Sequence, residues 1–293
     1  MTTVALYGKV LRQEHASYLQ LMLDKLNDSG YRMLFYKPFW EKIQKLVQAG
    51  GEAELFASHK DLAENADYLF SIGGDGTLLD TITLIRDSGI PVLGINLGRL
   101  GFLSSVPKDK IIKAVDDIDN GSYKIEERSL LRLDSDEDLF GDTNYALNEL
   151  TIHKREAQSM LTIRAYVDGK FMNSYWADGL IVATPTGSTA YSMSCGGPIV
   201  TPDSGNLIIT PIATHNLTVR PIVIPDSSEV SLIVEGRNHK YNLGLDSRYV
   251  GLEKPLELRV KKENFGINLL QLEHEAFFTT IRKKLNWGLD NRN

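Results

Sequence analysis

Ile72-Gly73-Gly74-Asp75-Gly76-Thr77 directly follows the apolar run Tyr68-Leu69-Phe70-Ser71. Three glycines around one aspartate let the backbone take positive φ and come close to a ligand. Leu78, Leu79, Ile82 and Ile85 follow at helical spacing, so the turn opens a helix whose free N–H groups and positive dipole end suit a phosphate. Asp75 then sits where a phosphate, a metal or a reacting hydroxyl would be. Phosphoryl transfer has a loose transition state, and the acceptor proton can leave late. A carboxylate within hydrogen-bond reach can therefore orient a hydroxyl and accept its proton as the new bond forms. A helix-capping role alone would account for Asp75, but not for Gly73, Gly74 and Gly76 around it.

Two further constellations could serve a nucleotide. Asn148-Glu149 interrupts residues 145–152, which otherwise alternate like a half-buried strand. Adjacent strand residues point to opposite faces, so a loop or bulge is needed for both to reach one ligand. An asparagine can donate to and accept from an adenine edge, and a glutamate can accept from vicinal ribose hydroxyls. A polar pair at a strand end is the plainer alternative. The second constellation is Asp178-Gly179 through Thr184-Pro185-Thr186-Gly187-Ser188-Thr189-Ala190-Tyr191-Ser192. Residues 180–183 read as a buried strand, Pro185-Thr186-Gly187 as a turn, and a helix is expected from about Ser188. Thr186, Ser188, Thr189 and Ala190 at that start offer hydroxyls and free N–H groups to phosphate or ribose. Tyr191 adds a flat face for a base or pyridine ring.

Other chemistries lack their residues. The chain has no Walker A loop, no protein-kinase signature, no His-Glu-x-x-His and no Cys-x-x-Cys. The six histidines are scattered and read as structural, His215 near Arg220-Pro221 being the least secure of them. The single cysteine, Cys195, reads as a small buried residue with no histidine nearby in sequence to activate it. Asp134-Ser135-Asp136-Glu137-Asp138 has part of a calcium-loop spacing, but Leu139 stands where that loop needs glycine. A solvated hairpin tip is expected there.

These residues need elements to hold them. Residues 4–7 read as a strand and 14–26 as a helix with Tyr18, Leu19, Met22 and Leu26 on one face. Residues 39–47 read as a second helix, 91–95 as an apolar strand and 108–119 as a further helix. Between the last two lies the glycine-rich Asn96-Leu97-Gly98-Arg99-Leu100-Gly101-Phe102. Strand–helix alternation predicts an α/β domain with a parallel sheet, and ligands collect at the carboxyl ends of such strands. From about Tyr123 the texture changes. Residues 161–167 alternate and turn at Asp168-Gly169, 229–234 and 256–260 read as strands, and prolines punctuate the stretch. A β-rich second domain is expected over 125–270. The first domain is expected to comprise 1–124 together with 271–293, whose helix over 275–287 packs back on it.

With 293 residues, 42% hydrophobic and 24% charged, the chain can bury two cores without staples. A net charge of −6 argues against a nucleic-acid binder or a polybasic membrane-surface protein. No secretory signal and no apolar run near the length of a membrane span is read in the sequence, and a cytoplasmic location is expected.

Taken in order and separation, the glycine–aspartate turn, Asn148-Glu149 and the block from Asp178 to Tyr191 resemble the NAD kinase family over residues 68 to 248. The Gly98-to-Leu103 stretch and residues 215–221 fit as well. The glycine–aspartate turn is shared with diacylglycerol, sphingosine and 6-phosphofructokinases, whereas the Thr-Pro-Thr-Gly-Ser-Thr-Ala-Tyr block with Asn-Glu is specific. The resemblance implies an α/β domain followed by a β-sandwich. It implies transfer of the γ-phosphoryl group of ATP to the adenosine-ribose 2′-hydroxyl of NAD, giving NADP. Asp75 would meet that hydroxyl, and Gly74, Gly76 and Thr77 would form the phosphate-facing turn. Asn148 would hold the adenine and Glu149 its ribose, with Phe102, Thr189 and Tyr191 lining the base pocket. Asp178 and Ser194 would face the nicotinamide end. Family members use ATP with magnesium or another divalent cation, some accept polyphosphate, and they assemble as homodimers or homotetramers. No residue is assigned to the metal, which is expected mainly on the ATP phosphates. A lipid kinase of the diacylglycerol-kinase type and a non-catalytic dinucleotide-binding sensor stay open as alternatives.

Overall fold

The apolar runs of the first half become parallel strands because helices cover both of their faces. The computed structural model describes residues 1–98, 101–156, 160–235, 240–272 and 277–288. They fall into two compact units, Met1–Glu127 with Ile267–Asn293, and Arg128–Gly266.

The first unit alternates β1 (Thr3–Gly8), α1 (Ala16–Asp28), β2 (Arg32–Tyr36), α2 (Lys37–Ile43), β3 (Glu54–Phe56), α3 (His59–Asn65), β4 (Tyr68–Ile72), α4 (Asp75–Ile85), β5 (Val92–Asn96), the short β6 (Val106–Pro107) and α5 (Ile111–Asp119). Strand order is β3-β2-β1-β4-β5, all parallel. Every residue of β1 and β5 is buried, the pattern of strands covered on both faces. Leu19, Met22, Leu23 and Leu26 of α1 and Ile111, Ala114, Val115 and Ile118 of α5 pack with Val4, Leu6, Phe70, Leu93 and Ile95. Gly94 faces the other way: a Cβ there would touch Leu78 of α4 and collide with the Ser104 backbone. Alternation along β5 thus puts α4 on the opposite face of the sheet. The chain turns from one side of β1 to the other between β3 and β4, so the carboxyl ends of β1 and β4 form the switch point where such sheets bind ligands.

The expected helix over 39–47 is shorter, ending at Ile43. The chain then turns, with Leu46 and Val47 both donating to the Ile43 carbonyl, and Val47 still reaches the core. β2, β3 and α3 were not expected. β3 is only three residues long, and two of them, Glu54 and Leu55, are exposed, so it carries little apolar signal.

The second unit is antiparallel. β7 (Tyr123–Ser135) enters it, followed by β8 (Tyr145–Ala146), β9 (Glu149–Lys154), β10 (Leu161–Val167), β11 (Lys170–Ala177), β12 (Gly179–Ala183), the one-turn α6 (Tyr191–Ser194), β13 (Asn206–Ile212), β14 (Ile222–Pro225), β15 (Val230–Glu235), β16 (Tyr241–Leu245), β17 (Arg248–Leu252) and β18 (Glu257–Leu272). One sheet runs β14-β13-β12-β9-β16-β17, and β11-β10-β15-β18 form the other. Leu150, Ile152, Leu180, Val182 and Leu243 of the first sheet share one core with Ile163, Ala165, Leu232 and Val260 of the second, which makes a β-sandwich. The expected turn after β10 is present, with Asp168 and Gly169 both at positive φ.

β18 ends in the first unit, where Leu269 pairs in parallel with Val92 of β5. α7 (Phe277–Leu285) follows and belongs to that unit, with Ile281 buried. Glu275 and Ala276, the expected start of this helix, lie outside the described residues. Among the described residues no helix is long and apolar enough to cross a membrane.

The acidic run lies at the tip of the β7–β8 hairpin, as expected, with Asp136 and Asp138 exposed, and it also carries ion pairs. Arg132 and Lys261 bind Asp134, Arg259 binds Asp136, and Lys254 binds Glu137. Four cations brought from β7, β18 and the loop before it neutralise what the sequence presents as a bare charge run.

Candidate active site

β4 ends at Ile72, and Gly73 takes φ 154° so that the chain can enter α4 at once. A Cβ on Gly73 would overlap the Thr77 side chain one helical turn on. Gly74 is the N-cap, Asp75 the first helical residue, and Gly76 and Thr77 complete the first turn, in which the two glycines are exposed and Asp75 and Thr77 half-buried. Gly74 and Gly76 have no atom within 4 Å of where a Cβ would be, so this face of the turn is open.

The Asp75 carboxylate is directed at the loop after β5. Oδ2 accepts the Phe102 N–H at 2.8 Å, and Oδ1 accepts those of Leu103 at 3.1 Å and Ser104 at 2.9 Å. A Cβ at Gly101 would overlap Oδ1, which is why a glycine stands there. A carboxylate has about four acceptor sites. Three are occupied by amides, and the free one is on Oδ2, where the Lys284 ammonium of α7 stands 3.7 Å away. The same ammonium lies over the Phe102 ring, 4.2 Å from its centroid. Sequence reasoning did not find Lys284; its one signal is the three-residue spacing from Ile281. Arg99 and Leu100 of this loop lie outside the described residues.

In the second unit the strand expected over 145–152 breaks into β8 and β9 at Leu147 and Asn148, with Glu149 opening β9. The amides of these three residues converge on one carboxylate. Asp246 Oδ2 accepts the Leu147 N–H at 2.8 Å, and Oδ1 accepts those of Asn148 at 2.8 Å and Glu149 at 3.2 Å. Asp246 occupies the two-residue turn between β16 and β17 at φ 53°, a conformation that aspartate tolerates better than most residues. The sequence reading missed it because β16 and β17 were themselves unrecognised. Thr184 completes the break: its N–H donates to the Asn148 carbonyl and its hydroxyl to the Leu147 carbonyl.

Asn148 and Glu149 are both buried. Burial, then the nearby Asp246 charge, push the Glu149 carboxyl from 4.5 up to about 8, against an opposing hydrogen bond from the Tyr191 N–H. Glu149 Oε2 has no hydrogen-bond partner, and neither has the buried Thr186 hydroxyl. Buried polar atoms left without a partner are uncommon and call for one.

The block after β12 lies on the outer face of the sheet. Ile181 and Ala183 of β12 pack there with Ile208, Ile212, Cys195 and Val200. The expected helix from Ser188 is instead a 3-10 turn over Thr186–Thr189, then Ala190 at ψ −131°, then α6. Ser188 is the reason: its hydroxyl donates to the Val200 carbonyl and accepts the Val200 N–H, which ties the turn down. That hydroxyl is fully buried, while Thr189 and Ala190 are half-buried and Tyr191 is exposed. A Cβ at Gly187 would overlap the Asn148 carbonyl, so glycine lets the block lie against the Asn-Glu break.

Asp178 stands at the other end of β12. Ala183 pairs with Glu149 and Gly179 with His153, so Asp178 is about 17 Å from Glu149 along the strand at ~3.3 Å per residue. Its carboxylate pairs with Lys154 at 2.6 Å. The exposed Ser194 ends α6. Burial raises the pKa of the Tyr191 hydroxyl, and Cys195, Asp178 and Glu149 add to the effect. The His215 ring packs against Trp176 in a tilted arrangement, with ring centroids 4.4 Å apart and planes at 46°. Burial raises the Cys195 thiol pKa, the direction of an unreactive cysteine. Among the described residues no three His, Cys, Asp or Glu side chains gather as metal ligands.

The sequence matches two family models, the ATP-NAD kinase N-terminal domain over residues 14–123 and the ATP-NAD kinase C-terminal domain over 147–269. An NAD kinase of Cytophaga hutchinsonii is 47% identical over 293 residues, covering 99% of each chain. One of Bacteroides fragilis is 37% identical, covering 98% of this chain and 99% of its own. Among solved structures, yeast NADH kinase complexed with NADH superposes with a TM-score of 0.88 at 24% identity, covering 99% of this chain and 89% of that one. An Archaeoglobus fulgidus NAD kinase in complex with ATP gives 0.75 at 24% identity, with 97% and 99% coverage.

Proposed function

The chain belongs to the NAD kinase family, and we propose on that premise that it transfers the γ-phosphoryl group of ATP to the adenosine-ribose 2′-hydroxyl of NAD. The ribose oxygen attacks the γ-phosphorus, the bond to the ADP oxygen breaks, and the hydroxyl proton is lost as NADP forms. The observation that carries the assignment of Asp75 is its carboxylate at the start of α4, fixed by three amides with one acceptor site free. That arrangement suits an orienter of the acceptor hydroxyl, which can take the proton late in a loose transition state.

Gly74, Gly76 and Thr77 give the open turn that phosphate would face. Asn148 would read the adenine, and Glu149, with its unpartnered Oε2, would accept from the ribose hydroxyls of the same nucleoside. Thr186, Thr189, Ala190 and Tyr191 would surround that nucleoside. Ser188 supports the turn from beneath. Asp178 and Ser194 would meet the nicotinamide half, in keeping with the distance between the two ends of β12. No group of three or more His, Cys, Asp or Glu side chains gathers among the described residues, and no residue is assigned to a metal. Magnesium or another divalent cation is assigned to the ATP phosphates, and no step is routed through it. We place the protein in the cytoplasm as a homodimer or homotetramer. Polyphosphate as an alternative donor is left to the assay.

The test is purified protein with NAD, ATP and magnesium, with NADP read through an NADP-specific dehydrogenase. Asp75→Asn should lower turnover by about a hundredfold while NAD still binds, the usual scale of general-base loss. Near-parental turnover in that variant overturns the role of Asp75. NAD binding without any NADP, with ATP or polyphosphate, supports the sensor reading instead.

A further inference from the structure

Lys284 stands apart from the other cations of α7. Lys284 is exposed, like Arg282 and Lys283, but it is three residues beyond the buried Ile281 and so lies on the same side of the helix as that residue. Its ammonium meets two groups at once, Asp75 Oδ2 at 3.7 Å and the Phe102 ring at 4.2 Å from the centroid. Phe102 is tied to the same carboxylate oxygen through its own N–H. Asp75, Phe102 and Lys284 thus form a closed triangle drawn from α4, the loop after β5 and the last helix.

A partly exposed ion pair of this length contributes little to stability, and a cation over an aromatic ring at an accessible site about as little. The triangle is therefore a weak brace for the fold. Its electrostatic effect is local. The ammonium balances the one carboxylate that a polyanionic donor must approach, and it confronts the single acceptor site that the three amides leave free.

We propose that Lys284 is a positioning residue for phosphoryl transfer, holding the Asp75 carboxylate and the Phe102 ring in their working arrangement. This rests on the role of Asp75 given above. Through Lys284, the docking of the C-terminal helix becomes a condition for turnover and not only for stability.

The test is a double-mutant cycle on the full chain, with kcat and KM for NAD and for ATP measured separately. Lys284→Met keeps the apolar stem over the ring and removes the charge. It should lower kcat about tenfold, change KM for NAD less than about twofold and leave Tm within about 2 °C. Lys284→Gln serves the same comparison should the Met variant fold poorly. Lys284→Arg, which can still pair with the carboxylate and lie over the ring, should recover kcat to within about threefold. In an Asp75→Asn background the loss of the Lys284 charge should change kcat less than about twofold, because the residue acts through Asp75. Parental kcat in the uncharged variants overturns the proposal, as does a tenfold loss that persists undiminished in the Asp75→Asn background. If the parent itself makes no NADP, the assignment of the activity fails first.

Discussion

Glu149→Gln separates the cost of keeping a buried carboxyl from its use. Burial and the Asp246 charge raise this group from 4.5 to about 8. Between those values the native chain holds a proton that the unfolded chain has lost. The native state therefore binds more protons than the unfolded state, and stability falls as pH rises. The contribution is fully present below pH 4.5 and is gone above about pH 8. At 1.36 kcal/mol per pH unit the interval corresponds to roughly 5 kcal/mol, and even half of that is a large part of a domain's stability. Glutamine carries no such titration, and its carbonyl can still accept the Tyr191 N–H. Asp246, also raised by burial, is present in both proteins and largely cancels from the comparison. At about 2–4 °C per kcal/mol, the Tm of Glu149→Gln should gain at least about 5 °C on the parent between pH 5 and pH 8.5. Differential scanning fluorimetry without ligand reads this directly. The same variant should lose tenfold or more in kcat/KM for NAD, the scale of a buried polar group left without its partner. Parallel Tm curves across the pH range would refute the argument that this carboxyl is held protonated at a cost.

Two shorter tests address the turns around the site. Gly101→Ala should cut kcat by about a hundredfold with little loss of fold, because the new Cβ must displace either the Asp75 carboxylate or the loop that holds it; kcat within threefold of the parent would show that neither position matters. Ser188→Ala should lower stability by about 1–3 kcal/mol, since both Val200 backbone groups lose a partner. Its KM for NAD should stay within about twofold, and a large rise in KM at unchanged Tm would instead place that hydroxyl on the ligand.

The chemistry-bearing residues were legible because their constraints are local. Gly73, Gly74 and Gly76 around Asp75 announce a tight strand-to-helix turn, and the run Leu78, Ile82, Ile85 fixes the helix that follows. The strand–turn sequence from Leu180 to Gly187 is equally self-contained, as is the alternation of helices and apolar strands that gives the parallel sheet. What stayed hidden depends on partners distant in sequence. Asp246 holds the Asn148-Glu149 break from nearly a hundred residues away, and nothing in Leu245-Asp246-Ser247-Arg248 names the amides it will accept. The acidic run at the β7–β8 tip is solvated, as its sequence says, but its partners Lys254, Arg259 and Lys261 come from more than a hundred residues away. Ser188 reads as a helix start, yet the Val200 backbone claims its hydroxyl.

Composition, periodicity and glycine placement determined that this chain builds an α/β unit and a β-rich unit and that Asp75 opens a helix at a strand's carboxyl end. Those properties follow from backbone sterics and from which faces must be apolar, and both are written in neighbouring residues. The tertiary structure alone decided that Asp75 is clamped by three amides and a lysine from the last helix, and that Glu149 is buried beside a second carboxylate. Such contacts depend on desolvation and on the convergence of remote segments, which no local pattern encodes.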